Sequence, residues 1–259
     1  MPPIVRAVYF SPTHTTETIV SDVANELATA LSAETATVSL TLPNERPASV
    51  SCDAGDVLVL GFPVYAGRVP ELVTSEIARM SSGGAQAVII GMYGNRHYDD
   101  ALLEAADALE ERGFRIVAAG AFIGEHSMTA HVAAGRPDAS DREAARSFGR
   151  SIALVIASGT AEAPAIAGNR PYKKRPEPAD IRPLTTDDCT SCGICATVCP
   201  MGIIDHEDPR LVQAGCLRCN ACVKRCPENA KHFESELTDK IVAMLETTCR
   251  ETRKPELFL

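Results

Sequence analysis

Eight of the ten cysteines in this 259-residue chain fall into one pattern written twice. The first copy is Cys189-x-x-Cys192-x-x-Cys195-x-x-x-Cys199-Pro200, and the second is Cys216-x-x-Cys219-x-x-Cys222-x-x-x-Cys226-Pro227. Thiolates at x-x spacing wrap a cubane in a tight loop. The x-x-x gap and the proline then carry the fourth thiolate onto a new segment. In such a run three thiolates bind one [4Fe–4S] cluster and the fourth crosses to the other. Cys189, Cys192, Cys195 and Cys226 are therefore expected at one cluster, and Cys216, Cys219, Cys222 and Cys199 at its neighbour. Zinc sites usually need only two C-x-x-C pairs with a longer spacer, and no fourth cysteine followed by proline. A disulfide framework suits a small secreted chain, whereas the Met1–Arg6 segment shows no basic region followed by an apolar stretch. The expected chemistry is electron transfer. Cys52 and Cys249 lie outside both runs and are expected to be ordinary thiols.

With 259 residues and 45% hydrophobic content, the chain can bury a full core and hold more than one domain. No segment reaches the roughly 18 apolar residues needed to span a bilayer. A cytoplasmic protein is expected, in a reducing compartment that leaves thiols unpaired. The net charge of −9 gives no electrostatic support to nucleic-acid or anionic-membrane binding. It fits docking on a basic partner and a solvated acidic surface equally well. Aromatics are 5% of the residues and tryptophan is absent, which leaves the clusters an aliphatic shell.

Residues 1–158 alternate strand and helix patterns. Ile4–Phe10 is a short apolar run, and Thr16–Leu31 places Ile19, Val23, Leu27 and Leu31 on one helical face. Strands are expected at Thr35–Leu42, Asp56–Phe62, Ala87–Met92 and Phe114–Phe122. Helices are expected at Glu71–Met80, Asp99–Arg112 and Asp141–Ala157. This alternation implies an α/β fold whose five-stranded, doubly wound parallel sheet has the flavodoxin-like order 2-1-3-4-5. Ligands in such a sheet bind at the carboxyl ends of its strands. Residues 159–184 carry five prolines and read as an extended linker, with Lys173-Lys174-Arg175 as a solvated patch. Residues 185–259 form a second, smaller α+β domain: the doubled cysteine module, then an amphipathic helix from Glu234 to about Cys249 that packs back on one of the domains.

Three loops meet at the expected ligand edge. Phe10-Ser11-Pro12-Thr13-His14-Thr15-Thr16 enters a helix, where hydroxyls and free amides make an anion site without lysine or arginine. The same residues serve equally as helix caps. The G-x-G-x-x-G dinucleotide fingerprint is absent from this loop. Pro63-Val64-Tyr65-Ala66-Gly67 follows the third strand of the order and Tyr93-Gly94-Asn95 the fourth, with Tyr98 close behind. Tyr65 and Tyr98 can stack on a planar ring, and amides near Gly67, Gly94 and Asn95 can bond its rim. Glu125 and His126 follow the fifth strand, as a proton relay, a substrate contact or polar residues bonding backbone.

The S-x-T-x-x-T loop and the PVYAGRVP and YGNRxYDDAL segments resemble those of flavodoxin-like proteins fused to a bacterial-type ferredoxin with two [4Fe–4S] clusters. The resemblance covers nearly the whole chain. It implies FMN, with its phosphate at Ser11, Thr13, Thr15 and Thr16 and its isoalloxazine between the Tyr65 and Tyr98 loops. His14 stands where flavodoxins usually carry glycine, and is expected as a further phosphate contact. FMN takes electrons singly or in pairs, whereas a cluster carries one. The first expectation is thus an anaerobic electron-transfer flavoprotein, with a ferredoxin-type protein or an anaerobic reductase as donor or acceptor. A flavin-dependent reductase of a small organic substrate is the second, with His126, Arg68 and Arg96 around the substrate. A redox sensor without turnover is the third. The path is completed within one chain or across a homodimer.

Overall fold

The computed structural model describes residues 3–159, 162–177 and 179–259. Met1 and Pro2 of the leading segment, and Thr160, Ala161 and Pro178 of the expected linker, lie outside the described residues. The chain runs β1 (Ile4–Tyr9), α1 (Thr15–Leu31), β2 (Glu34–Ser39), β3 (Val57–Pro63), α2 (Glu71–Ile77), β4 (Gln86–Tyr93), α3 (Ala101–Glu110), β5 (Arg115–Ile123) and α4 (Ala139–Ser158). Among the described residues four helices accompany these strands, at the four segments the sequence predicts, and residues 40–56 between β2 and β3 form none. The cysteine module follows as β6 (Leu184–Thr185), α5 (Ile194–Thr197), α6 (Ala221–Lys224) and β7 (Lys231–His232). After it come α7 (Glu236–Thr248) and β8 (Glu256–Phe258). Among the described residues no helix is long and apolar enough to cross a membrane.

The sheet order is β2-β1-β3-β4-β5-β8. The first five strands are parallel, in the flavodoxin-like order the sequence predicts. β8 is an addition the sequence does not announce: it pairs antiparallel with β5, placing Leu257 opposite Gly120. Strand alternation explains the double winding. In the run Val57-Leu58-Val59-Leu60, Val57 and Val59 join the core beneath α1 and α4, with Ile19, Val23, Leu27 and Phe148. Leu58 and Leu60 face the other way and pack with Ile77, Leu102 and Leu109 under α2 and α3. A continuous apolar run is thus divided between two cores.

Helix α3 and its N-cap residue present Asp100, Glu104 and Asp107 at i, i+4 and i+7, hence on one face, and the linker lies along them. Asp100 accepts from the backbone amides of Asn169 (2.8 Å) and Lys173 (2.6 Å). Glu104 takes Arg175 (2.9 Å), and Asp107 takes Arg170 (2.9 Å) and the Tyr172 hydroxyl. Lys173-Lys174-Arg175 is therefore not simply a solvated patch. Lys173 also reaches Asp99 (2.7 Å).

Gly61 in β3 lets α1 approach the sheet closely, since a Cβ there would sit 2.1 Å from Val20 Cγ2. Gly61→Ala must push α1 outward. It is expected to cost about 1–3 kcal/mol, read as a lower urea midpoint at unchanged m-value, and an unchanged midpoint would remove the close-approach argument.

Candidate functional site

At the carboxyl end of β1, His14 adopts a left-handed conformation (φ 64°) and opens α1. Ser11 is buried, and its Oγ accepts from the Glu17 amide (3.0 Å), capping the helix. Thr16 is buried beside it, and His14 is exposed, with Nδ1 2.8 Å from Glu17 Oε2. Among the described residues the amides of Thr13, Thr15 and Thr16 have no acceptor. They point the positive end of α1 at the strand ends.

The loops after β3 and β4 are cross-fixed. Val64 donates its amide to the Met92 carbonyl (2.7 Å), and Tyr65 and Arg68 exchange backbone hydrogen bonds (3.1 and 3.0 Å). Arg68 forks onto Glu104 (2.7 and 2.8 Å), which also accepts from the Val69 amide (2.9 Å). After β4, two expected flavin contacts are engaged elsewhere. Asn95 is buried, and its side chain bonds the carbonyls of Cys249 and Glu251 (both 2.8 Å) and the Arg253 amide (3.1 Å). Tyr98 is buried, stacks on His97 (centroids 4.9 Å apart) and donates to Glu256 (2.6 Å). Both residues hold the C-terminal tail, whose position the local sequence does not encode.

The strand ends enclose a cavity of about 690 Å³. Its floor is Thr13, Thr15, Pro63–Ala66, Met92–Gly94 and Gly124–Met128. Of the residues expected around a flavin, it gathers Thr13, Thr15, Pro63, Val64, Tyr65, Ala66, Tyr93 and Gly94. Ser11, His14, Thr16, Gly67, Asn95 and Tyr98 are not in its wall. Its roof comes from parts of the chain that the sequence reading left out of the site: Lys173–Pro176 of the linker, Leu217–Cys219 of the cysteine module, and Leu237, Ile241, Met244 and Leu245 of α7. The apolar stripe of α7 was the only sequence signal for this cover.

His126 lies against Gly94, where a Cβ would meet its ring at 2.3 Å. The Met128 amide donates to His126 Nδ1 (3.2 Å), so a neutral ring carries its proton on Nε2. Burial, then Lys224 and Arg96, push this histidine down to about 4. It is therefore a neutral donor at pH 7, not an acid. Glu125 pairs with Lys224 of the cysteine module and accepts from the Gly135 amide (3.0 Å), which together hold its carboxyl below the usual range against the cost of burial.

The cysteine copies fold alike. Ser191 and Arg218, at matching positions, are both left-handed (φ 55° and 53°). Their amides donate to Cys189 and Cys216 Sγ (both 3.4 Å). Two separate small cavities result. One is lined by Cys189, Cys192, Cys195 and Cys226, the other by Cys199, Cys216, Cys219 and Cys222. Among the described residues no group of three or more His, Cys, Asp or Glu is gathered as for a single metal ion; each thiol set surrounds a void instead. Cys192 is exposed, whereas Cys219 and Cys222 are buried and burial pushes their thiols up to about 12. Binding to iron removes such protons outright. Lys231 is buried, its ammonium has no carboxylate partner among the described residues and donates to the Pro209 carbonyl (2.5 Å), and it lines the first void, a setting that fits an anionic thiolate-bound centre. Cys52 and Cys249 are buried away from both sets.

Between pH 6.5 and about 4 the unfolded chain takes up a proton that native His126 refuses. Native stability therefore falls as pH drops through that window. Urea denaturation of wild type and His126→Gln at about pH 7 and pH 5 is expected to show the larger loss in wild type, and equal losses would remove the burial argument.

Residues 188–231 match the family model described as a 4Fe-4S dicluster domain. The comparison with curated proteins returns no match. Among solved structures, a flavodoxin from the domain Archaea is 13% identical, covering 60% of this chain and 99% of its own, with a TM-score of 0.41. The flavodoxin of Streptococcus pneumoniae TIGR4 is 18% identical, covering 58% of this chain and 98% of its own, with a TM-score of 0.39. The rubredoxin oxygen:oxidoreductase of Desulfovibrio gigas is 15% identical over 62% of this chain and 38% of its own, with a TM-score of 0.41. Strand order and the matched cysteine segment together identify a flavodoxin-like sheet joined in one chain to a 4Fe-4S dicluster domain.

Proposed function

We propose that this chain is an electron-transfer iron–sulfur flavoprotein, in which two [4Fe–4S] clusters exchange low-potential electrons with an FMN at the strand ends. The observation that carries this reading is the position of Cys219, which lines both the 690 Å³ cavity and the Cys199/Cys216/Cys222 void. A flavin and a cluster in these two spaces would share one wall. Tyr65 belongs to that wall too: burial and then the Cys219 and Cys216 thiols hold its hydroxyl well above its ordinary value.

The residues fit FMN in three respects. The amides of Thr13, Thr15 and Thr16 offer a dianionic phosphate a cradle at a helix N-terminus. Pro63–Ala66 and Tyr93–Gly94 line, side by side, a space of ligand size. Nε2 of the neutral His126 is a donor without a protein acceptor among the described residues, ready for a carbonyl on the ring. FMN, when bound there, supplies the coupling of two-electron to one-electron chemistry. In this reading residues 1–158 hold the flavin, 159–184 strap across α3, and 185–259 hold the clusters and roof the flavin. The exposed Cys192 leaves the first thiol set open to a redox protein, donor or acceptor, while the second set is turned inward.

A second reading, a reductase of a small organic substrate, is favoured by the roof itself. α7 and Lys173–Pro176 close over the strand ends, which bars a protein partner from the flavin but admits a small molecule.

Anaerobic reconstitution with iron, sulfide and FMN is expected to give about eight iron atoms and about one flavin per chain, for two four-iron clusters beside one FMN. Redox titration with optical and paramagnetic detection then assigns the potentials. Full iron without FMN would defeat both readings. The crossed assignment makes a separate demand: Cys226→Ser must lose the same paramagnetic signal as Cys192→Ser, and Cys199→Ser the same as Cys219→Ser. Pairing by sequence copy instead would overturn it.

A further inference from the structure

We propose that the strand-end cavity takes, beside the flavin, a small organic anion with an apolar body, an aryl or alkyl carboxylate, whose charged end is bound by Lys174 and Arg218. This rests on the flavin reading above and names the substrate class of its reductase form.

The cavity wall runs against the charge of the chain. Net charge is −9, yet the wall contains Arg96, Lys173, Lys174, Arg175 and Arg218 against two carboxylates, Glu71 and Glu125. Both carboxylates are engaged, Glu71 by Arg175 (3.8 Å) and Glu125 by Lys224 (2.5 Å). Arg96 and Lys173 share one carboxylate, Asp99. Lys174 and Arg218 have no ion-pair partner among the described residues. Oxidised FMN does not explain their charge. The phosphate cradle lies at the N-terminus of α1 and uses amides and hydroxyls, and the oxidised isoalloxazine carries no charge for these cations to meet. Low-dielectric walls around such cations raise the local concentration of anions.

The apolar half of the ligand follows from α7. Leu237 and Met244 are 45% and 43% exposed and, with Ile241, line the same cavity as these cations. An apolar stripe and unpaired positive charge in one cavity match a molecule with a hydrophobic body and one carboxylate. Arg218 is also tied to the iron–sulfur side of the wall, because its own amide bonds Cys216 Sγ (3.4 Å) and its carbonyl accepts from Asn220 (3.0 Å). The anion would therefore sit next to the flavin and the inward thiol set at once.

The probe is benzoate, with benzamide as its uncharged control, titrated anaerobically into oxidised holoprotein while flavin absorbance is followed. Benzoate is expected to perturb the flavin bands saturably and to weaken as salt rises, with benzamide at least about tenfold weaker. Lys174→Gln combined with Arg218→Gln is expected to lose about tenfold in benzoate affinity at unchanged FMN and iron content. Lys174→Gln alone, on the exposed linker, reports the same direction without touching the cysteine loop, and Arg218→Lys restores part of the loss. Equal affinity for the two probes, no perturbation, or full affinity in the variants would overturn the inference and leave the flavin reading standing. Holoprotein with iron but no FMN would bring down both.

Discussion

One buried carboxylate decides the shape of the ligand edge. Glu104 on α3 receives a fork from Arg68, the Val69 amide and the Arg175 guanidinium. It thereby fixes the loop after β3 and the linker that roofs it in a single contact. Arg68 in turn lies over the Tyr172 ring, 4.9 Å from its centre, and donates to the Lys173 carbonyl (2.5 Å). Two arginines on one buried carboxylate are stable because each satisfies what the other leaves open. Without that carboxylate, buried positive charge would be left facing positive charge, and the linker would keep its bonds to Asp99, Asp100 and Asp107 but lose the one it shares with the loop after β3. The floor and roof of the cavity are thus one construction.

The cysteine module rests on a different constraint, backbone conformation. Four residues in matching pairs, Ser191 with Arg218 and Gly193 with Asn220, take left-handed conformations. These turns aim successive thiols inward and bring amides to Cys189 and Cys216. Two of the four are neither glycine nor asparagine, a local cost of about 1 kcal/mol or more each. The two voids also differ in setting. The one with Cys192 meets solvent, whereas the one with Cys219 is shielded by Leu217, Ile203 and Phe233. Since solvent exposure and amide-to-sulfur bonds shift cluster potentials, one sequence pattern used twice does not imply two equal centres.

Much of this was legible from local pattern. The split of Val57–Leu60 between two faces, the Ile19/Val23/Leu27 stripe and the cysteine spacing each depend on neighbours a few residues away. What the sequence hid depends on contacts over some seventy residues or more. Asn95 and Tyr98 look like ligand contacts because they are polar or aromatic at the right edge; only the returning C-terminal tail claims them. The Lys173–Arg175 run looked solvated because its anionic partners, Asp99, Asp100 and Glu104, lie some seventy positions earlier. The acidic spacing on α3 was visible all along, but its complement was not adjacent.

The short strand β8 has a mechanical consequence. Because it pairs with β5 while the linker is bound along α3, the chain is fastened to the sheet domain both before and after the cysteine module. The module is mounted at two points, an insert more than an appendage. A domain on a single tether can swing between partners; one clamped at both ends cannot move away without unzipping an edge strand or stripping a helix of its ion pairs. The same strand covers Ala119–Ala121 on the outer flank of β5, so the segment that anchors the module also shortens the open edge of that strand.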